Sequence, residues 1–369
     1  MNKLKIALVK QEVYQDLYVC PVTEKDPGQI LFSSMGRVGP IALMSDLNAD
    51  FYIVKEESNK ETRIYQKVIP HIAPYLHLLK TETLDKIPGQ EFKSPGSPYP
   101  NGKYAVSCYT IDWGQYDIVI SINISLPTQL ILKYPQTLFA YMIGEANMAT
   151  GKARFGYDAT LNQMARGRIS HKCGAIDFPY TFVAKDTLEK IMQQYLGRPS
   201  ARKGIFMEIN STTERPVTRI PDHFQPLADA GYEIILHQQK IADNLKNIYD
   251  AKYFVKMGGR SIRGNSVAEA VSLGTLAIMN RDEVIHHELI IDECNVKTMD
   301  EMISLINRLE NDPELYRTLQ QKQRQVLHTY FFDAPLQSLI NCLKEKRGLS
   351  KPRTYSRWNR LFEDRKSVV

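Results

Sequence analysis

Residues 256–280 of this chain read KMGGRSIRGNSVAEAVSLGTLAIMN. The segment opens at the end of an apolar run, passes through a glycine-rich turn, and reaches a second apolar run after a stretch of helix-forming residues. Ser266 and Glu269 form the S-x-x-E pattern of a helix start, and Gly274 is typical of a helix end. The pattern predicts a buried strand, a turn, a short helix and a second buried strand, in that order.

The turn in this segment has the chemistry of an anion site. Arg260 and Arg263 precede the predicted helix start, where backbone amides are free to bind a phosphate. This arrangement favours a nucleoside-diphosphate ligand. Two alternatives stay open, because the arginines could be solvated loop charges and Glu269 could serve only as a capping residue.

Further apolar runs extend the same pattern over the rest of the chain. They are separated by helical lengths and are apolar on both faces, which is typical of strands in a covered parallel sheet. We expect an α/β fold of two Rossmann-like parallel-sheet domains that face a cleft, with residues 1–190 as the first domain and residues 203–335 as the second. Predicted strands lie at residues 5–9, 50–54, 116–122, 138–143, 204–209, 233–236 and 253–257, and predicted helices at residues 226–230, 241–248, about 299–309 and 313–328.

Composition is that of a water-soluble globular protein. The 369 residues are 43% hydrophobic and 24% charged, and no apolar run reaches the ~20 residues of a membrane span. The five cysteines form no C-x-x-C pair, which favours reduced thiols and a cytoplasmic location.

The net charge of +6 is concentrated at one end of the chain. Residues 344–369 contain nine Lys or Arg against three Asp or Glu, so the remainder is neutral, which argues against nucleic acid as a partner. Residues 336–369 are predicted to form a final helix and a basic tail with aromatic side chains. The tail could make peripheral membrane contact, or it could be a solvated segment that packs loosely on its own domain.

The second half of the chain, about residues 203–346, resembles the C-terminal domain of GT-B glycosyltransferases. Residues 264–278, GNSVAEAVSLGTLAI, are similar to the element with which those enzymes hold a nucleotide sugar. The resemblance implies that Glu269 binds the ribose hydroxyls and that a final helix near residues 336–343 crosses back to the first domain. It also implies that Gly264, Asn265 and Ser266 offer amides or a hydroxyl to the diphosphate. By their position before the helix start, Arg260 and Arg263 are expected to contact the same diphosphate. Arg215, in the loop after the second domain's first strand, is a further candidate that could equally have a surface role.

The same resemblance bears on stereochemistry. Retaining members of these families have a glutamate eight positions before the one that matches Glu269, and this chain has Ser261 there. We therefore expect an inverting enzyme, which needs a general base from the first domain. Glu145, Glu12 and Asp112 are the candidates, and each could instead be a solvated loop carboxylate.

These features predict an enzyme that transfers a sugar from a nucleotide-sugar donor to a hydroxyl of a glycan or glycolipid. No D-x-D triplet occurs in the chain, so we expect neither a metal nor a cofactor. Two alternatives stay open, a sugar-nucleotide epimerase of the same fold and a non-catalytic protein that binds a nucleotide sugar.

Overall fold

The computed structural model consists of two compact units. It describes residues 4–11, 49–54, 75–79, 108–122, 126, 128–143, 156–162, 176–177, 186–208, 217–237, 241–258 and 265–348. The first unit holds the described residues up to 177 together with those from 334 to 348, and the second holds those from 186 to 333. The second unit is therefore inserted between two parts of the first.

The first unit contains a seven-stranded parallel sheet. Its strands are β1 (Ile6–Gln11), β2 (Asp50–Val54), β3 (Leu76–Leu79), β4 (Ile118–Ile122), β5 (Leu138–Ile143), β6 (Ala159–Asn162) and β7 (Ile176–Asp177), in the spatial order β3-β2-β1-β4-β5-β6-β7. A helix α1 (Thr128–Leu132) connects β4 to β5. The strand order reverses between β1 and β4, as in doubly wound folds. The strands predicted from the apolar runs at residues 5–9, 50–54, 116–122 and 138–143 are confirmed within two residues.

The second unit contains a four-stranded parallel sheet. Its strands are β8 (Ile205–Met207), β9 (Ile234–Ile235), β10 (Tyr253–Lys256) and β11 (Leu276–Met279), in the order β11-β10-β8-β9. Both sheets are parallel throughout, so the predicted α/β class is confirmed. Residues of β8, β10 and β11 are buried at every position, which explains why these strands, apart from Lys256 at the end of β10, read as continuous apolar runs.

Helices connect and cover the second sheet. They are α2 (Thr187–Leu196), α3 (Gln225–Asp229), α4 (Ile241–Asp250), α5 (Asn265–Ser272), α6 (Met299–Asn311) and α7 (Pro313–His328), and a π-helical turn (Thr329–Asp333) follows α7. The predicted Asp312-Pro313 cap is confirmed, because the Asp312 carboxylate accepts a hydrogen bond from the Leu315 amide at 2.9 Å. Gln323, 1% exposed, bonds both backbone groups of Ala277 on β11, which covers this edge of the sheet.

A final helix, α8 (Ala334–Gly348), belongs to the first unit. Near its end, Lys346 donates to the Asp158 carboxylate and to the Thr137 carbonyl, both at 2.6 Å, and Arg347 bonds Asp117 at 2.7 Å. Burial raises the pKa of Asp117, but the hydrogen bond from the Lys5 amide and the ion pair with Arg347 outweigh burial and hold this pKa below its usual value. Two of the basic residues assigned to the tail are thus ion-paired within this unit.

Candidate functional site

The carboxyl ends of the parallel strands in the second sheet carry the most informative set of buried polar groups. The strand order of this sheet reverses between β8 and β10, and ligands of doubly wound sheets bind beyond the carboxyl ends of the strands at such a point. Glu208 follows β8 directly, and Gly258 lies two residues after β10. Glu208 is 6% exposed, and its amide donates to the Val255 carbonyl of β10 at 2.9 Å. The switch point of this unit is therefore lined by a buried carboxylate.

Three buried polar side chains form a cluster beside the switch point. His237, two residues beyond β9, has its Nε2 at 4.0 Å from the Glu208 carboxylate. The Asn244 amide nitrogen lies 3.2 Å from Nδ1 and 3.3 Å from Nε2 of the same ring. The backbone carbonyl of His237 accepts a hydrogen bond from the amide of Val217, the first described residue after residue 208. Sequence reasoning missed the cluster, because its members come from three separate elements.

A second group of contacts holds the chain where it leaves β10. Lys256 is fully buried, and its ammonium group lies 2.6 Å from Glu283 Oε2 and 2.7 Å from the Gly258 carbonyl. Glu283 Oε1 in turn accepts from the Gly258 amide at 2.8 Å. Gly258 has a φ of +70°, in the left-handed region that favours glycine. Glu283 belongs to a 3-10 turn (Arg281–Glu283) that follows β11, so these contacts join the exits of two adjacent strands.

Helix α5 connects β10 to β11 and contains the predicted donor-binding glutamate. The helix begins at Asn265, so Ser266 is its second residue and Glu269 its fifth. The capping-box interpretation of this pair is therefore wrong, because a capping residue must precede the helical residues. Glu269 is 4% exposed and Ser266 is half-buried. A buried carboxylate inside the helix has no capping function there.

The end of α5 agrees with the sequence. Gly274 has a φ of +82°. The Thr275 amide donates to the Ala270 carbonyl at 2.8 Å and the Gly274 amide donates to Val271 at 3.0 Å, which together form a Schellman motif. Gly274 is thus confirmed as the residue that ends the helix.

Two arginines cover Gly274 at the opposite end of the sheet from the switch point. Arg202 donates to the Leu273 carbonyl at 2.6 Å, and both Arg202 and Arg324 form ion pairs with Glu189. These contacts satisfy the Leu273 carbonyl at the C-terminus of α5 and join this helix to α2 and α7. We interpret this arginine pair as structural.

Among the predicted catalytic residues, the structure describes Asp112. It is exposed, and its carboxylate accepts from the Gly114 amide at 3.1 Å, which caps a 3-10 turn (Trp113–Gln115) before β4. It therefore lies near the amino end of β4, whereas ligands of parallel sheets bind at the carboxyl ends. Glu12 and Glu145 lie outside the described residues; β1 ends at Gln11 and β5 at Ile143, so each glutamate comes within two residues of a strand end.

Some of the predicted donor-binding residues lie within the described part of the chain and others lie outside it. The structure describes the helical backbone of Asn265 and both backbone and side chain of Ser266 and Glu269. Gly264, Arg263, Arg260 and Arg215 lie outside the described residues, as do the predicted tail residues beyond 348.

The first unit has a polar cluster that is separate from the ends where ligands bind. The Tyr116 hydroxyl donates to Asp50 at 2.6 Å and lies 2.7 Å from the Tyr52 hydroxyl, and His77 Nε2 lies 2.8 Å from the other Asp50 oxygen. Burial, followed by the hydrogen bonds with Asp50 and Tyr52, raises the pKa of Tyr116. Asp50 begins β2 and Tyr116 precedes β4, so the cluster lies towards the amino ends of the strands, and we interpret it as structural.

In the part of the chain that the structure describes, no helix has the length and apolar character needed to cross a bilayer. Within the same residues, no group of three or more His, Cys, Asp or Glu side chains could hold a metal ion.

Comparison with known proteins identifies similar solved structures. T4 phage β-glucosyltransferase is 11% identical with a TM-score of 0.39, and the match covers 94% of this chain and 100% of that chain. Sucrose-phosphate synthase from Thermosynechococcus elongatus is 13% identical (TM-score 0.41, 93% and 98% covered), and a UDP-N-acetylglucosamine 2-epimerase is 12% identical (TM-score 0.41, 96% and 100% covered). No family model and no curated protein matches the chain.

Glycosyltransferases are thus among the solved structures to which this chain is similar.

Proposed function

We propose that this protein is a nucleotide-sugar-dependent glycosyltransferase that transfers a sugar to a hydroxyl acceptor. The observation that carries the proposal is the burial of Glu269, 4% exposed, on a helix that connects two strands of the second parallel sheet beside its switch point. The motif around Glu269 is the one whose counterpart in GT-B enzymes holds a nucleotide sugar.

The donor is proposed to bind in the following way. Glu269 accepts hydrogen bonds from the ribose hydroxyls, and the first amides of α5, at Asn265 and Ser266, stabilise the diphosphate together with the helix dipole. Gly264, Arg263, Arg260 and Arg215 are proposed to complete the diphosphate site. Positive charge and backbone amides at this place stabilise the leaving diphosphate, which makes a metal or cofactor unnecessary in this proposal.

The proposed reaction is an inverting transfer. A general base removes the proton of the acceptor hydroxyl, its oxygen forms a bond to the anomeric carbon, and the bond from that carbon to the diphosphate breaks, with the electron pair leaving on the nucleoside diphosphate. Glu145 and Glu12 are the proposed bases, since each closely follows a strand of the first unit. The exposed capping role of Asp112 disfavours it. A glycan or a glycolipid is the proposed acceptor class.

The test begins with binding. We expect UDP or GDP to raise the thermal midpoint of the protein and to bind in calorimetry, and we expect Glu269→Gln to weaken that binding at least tenfold. Glu314→Gln is the matched control, because Glu314 is an exposed glutamate at the start of α7 whose described partner is Arg317. If neither UDP, GDP nor CMP binds to the wild-type protein, the proposal is wrong.

Turnover then separates the enzyme from its alternatives. A transferase releases the nucleoside diphosphate faster when an acceptor glycan or glycolipid is added to its sugar nucleotide. An epimerase instead yields an altered sugar without an acceptor. A binding protein shows nucleotide affinity with neither product.

A further inference from the structure

Lys256 is a charged residue in an unusual place. It ends β10, an interior strand of the second sheet, and its side chain has no exposed surface. A buried ammonium group is costly unless it is paired and hydrogen-bonded, and a buried apolar residue would serve the strand equally well. The charge therefore calls for an explanation beyond the packing of the sheet.

The contacts of Lys256 define what it does. Its ammonium group joins the Glu283 carboxylate at 2.6 Å to the Gly258 carbonyl at 2.7 Å, and the other Glu283 oxygen accepts from the Gly258 amide at 2.8 Å. We call these three residues the strand-exit clamp. Both backbone polar groups of Gly258 are held, at a φ of +70°. A bidentate contact of this kind fixes the direction in which the chain leaves β10.

The clamp lies on the path to the proposed donor site. The chain leaves β10 at Gly258 beside the switch point and enters α5 at Asn265. Glu283 also brings the exit of β11, the strand after α5, into the same hydrogen-bonded unit. Each exit is therefore held relative to the other by a charge-assisted contact, which is stronger and more directional than a neutral one.

We propose that the strand-exit clamp positions the donor-binding helix, so that Lys256 and Glu283 set the affinity for the donor nucleotide without touching it. This inference rests on the proposed function. When the connection between strand and helix is already fixed, less conformational entropy is lost as the nucleotide binds. Loosening that connection therefore weakens binding, even where every residue that contacts the nucleotide is retained.

The test compares two variants of neighbouring ion pairs. Glu283→Gln removes the carboxylate charge but keeps an oxygen that can accept from Gly258. Asp292→Asn is the control, because Asp292 pairs with Arg281 of the same turn at 2.6 Å with a side chain that is 87% exposed. We expect Glu283→Gln to bind UDP or GDP at least tenfold more weakly in calorimetry, while Asp292→Asn binds as the wild type does.

Stability is measured in parallel so that positioning is distinguished from a loss of folding. Gly231→Ala introduces backbone strain in the same unit, at a φ of +88° with open space around the added methyl group, and so lowers the thermal midpoint without altering the clamp. We expect its nucleotide affinity to stay at the wild-type value. Should Glu283→Gln fail to fold, Glu283→Asp keeps the charge and shifts the carboxylate, and the same loss of affinity is expected.

The outcomes separate the two proposals. Wild-type protein that binds none of the nucleotides overturns the proposed function. Wild-type protein that binds UDP or GDP, with equal affinity in the folded Glu283 variant, overturns the positioning role alone. Equal losses of affinity in the Glu283 variant and in Gly231→Ala also overturn it, since affinity would then follow general stability.

Discussion

Replacement of Gly274 by alanine tests how the C-terminus of α5 is built. Gly274 has a φ of +82°, and a Cβ atom there would overlap the Nη2 atoms of Arg324 and Arg202. Each of these arginines forms an ion pair with Glu189. The substitution therefore imposes two separate costs on the second unit, backbone strain and the displacement of an arginine.

The size of each cost follows from general values. A left-handed conformation costs an L-residue about 1–2 kcal/mol. Loss of one partly buried, charge-assisted hydrogen bond costs about 1.5–3 kcal/mol, and the arginine side chains here are 22% and 19% exposed. We expect Gly274→Ala to lower the free energy of unfolding of the second unit by about 2.5–5 kcal/mol, the sum of the two ranges.

Gly231→Ala is the matched control for this substitution. Its φ of +88° imposes the same kind of backbone strain, but no atom of the described residues lies within 4 Å of the added methyl group. We expect it to lower the free energy of unfolding by about 1–2 kcal/mol. The difference between the two variants, about 1.5–3 kcal/mol, isolates the displacement of an arginine.

Hydrogen exchange measured by mass spectrometry suits this comparison, because peptides from β10 and β11 report the opening of the second unit. The described tryptophan, Trp113, lies in the first unit, so its fluorescence would not report the second. Equal exchange in the two glycine variants would refute the reasoning, since the arginines would then move aside without losing their bonds. A second check is Gly274→Ala in an Arg324→Ala background, where the extra cost should shrink.

Three further predictions follow from other contacts. Lys346→Met leaves Asp158 partly buried without its cation, and we expect the first unit to lose about 2–4 kcal/mol in urea unfolding. The pKa of Asp117 is lower in the folded than in the unfolded protein, so its ionised carboxylate stabilises the fold above about pH 4, the unfolded pKa, and this contribution is lost as pH falls through the folded pKa. The urea midpoints of Asp117→Asn and of the wild type should therefore differ at pH 6 and converge near pH 2. Iodoacetamide at pH 8 should alkylate the half-buried Cys342 at least tenfold faster than Cys294, because burial raises the pKa of the Cys294 thiol to about 12. Peptide mapping measures the two alkylation rates, and equal rates would contradict the prediction.

The strands and helices were predictable where a local pattern of side chains is enough to determine them. Residues 138–143 were predicted as a strand and form β5 with the same bounds, because a run that is apolar on both faces is stable only inside a covered sheet. The start of α7 was predictable because Asp312 caps the helix through its own neighbours in sequence. Local chemistry decides such elements.

The site was predictable in part. The connection from β10 to β11 through a short helix was visible in the sequence, but the helix start was not, because S-x-x-E at Ser266 also occurs within a helix. The clamp and the Glu208 cluster could not be predicted. A buried Lys256 is recognisable only once its carboxylate, 27 residues later, is brought beside it by the sheet.

The insertion of the second unit has a consequence for synthesis on the ribosome. The contacts of Lys346 and Arg347 with the first sheet involve partners made about 190 to 230 residues earlier. The described part of the second unit, residues 186–333, is contiguous and can complete its contacts as soon as it emerges, whereas the first unit waits for α8. A nascent chain that stalls at residue 333 would therefore expose a finished second unit and a first sheet still lacking its closing helix.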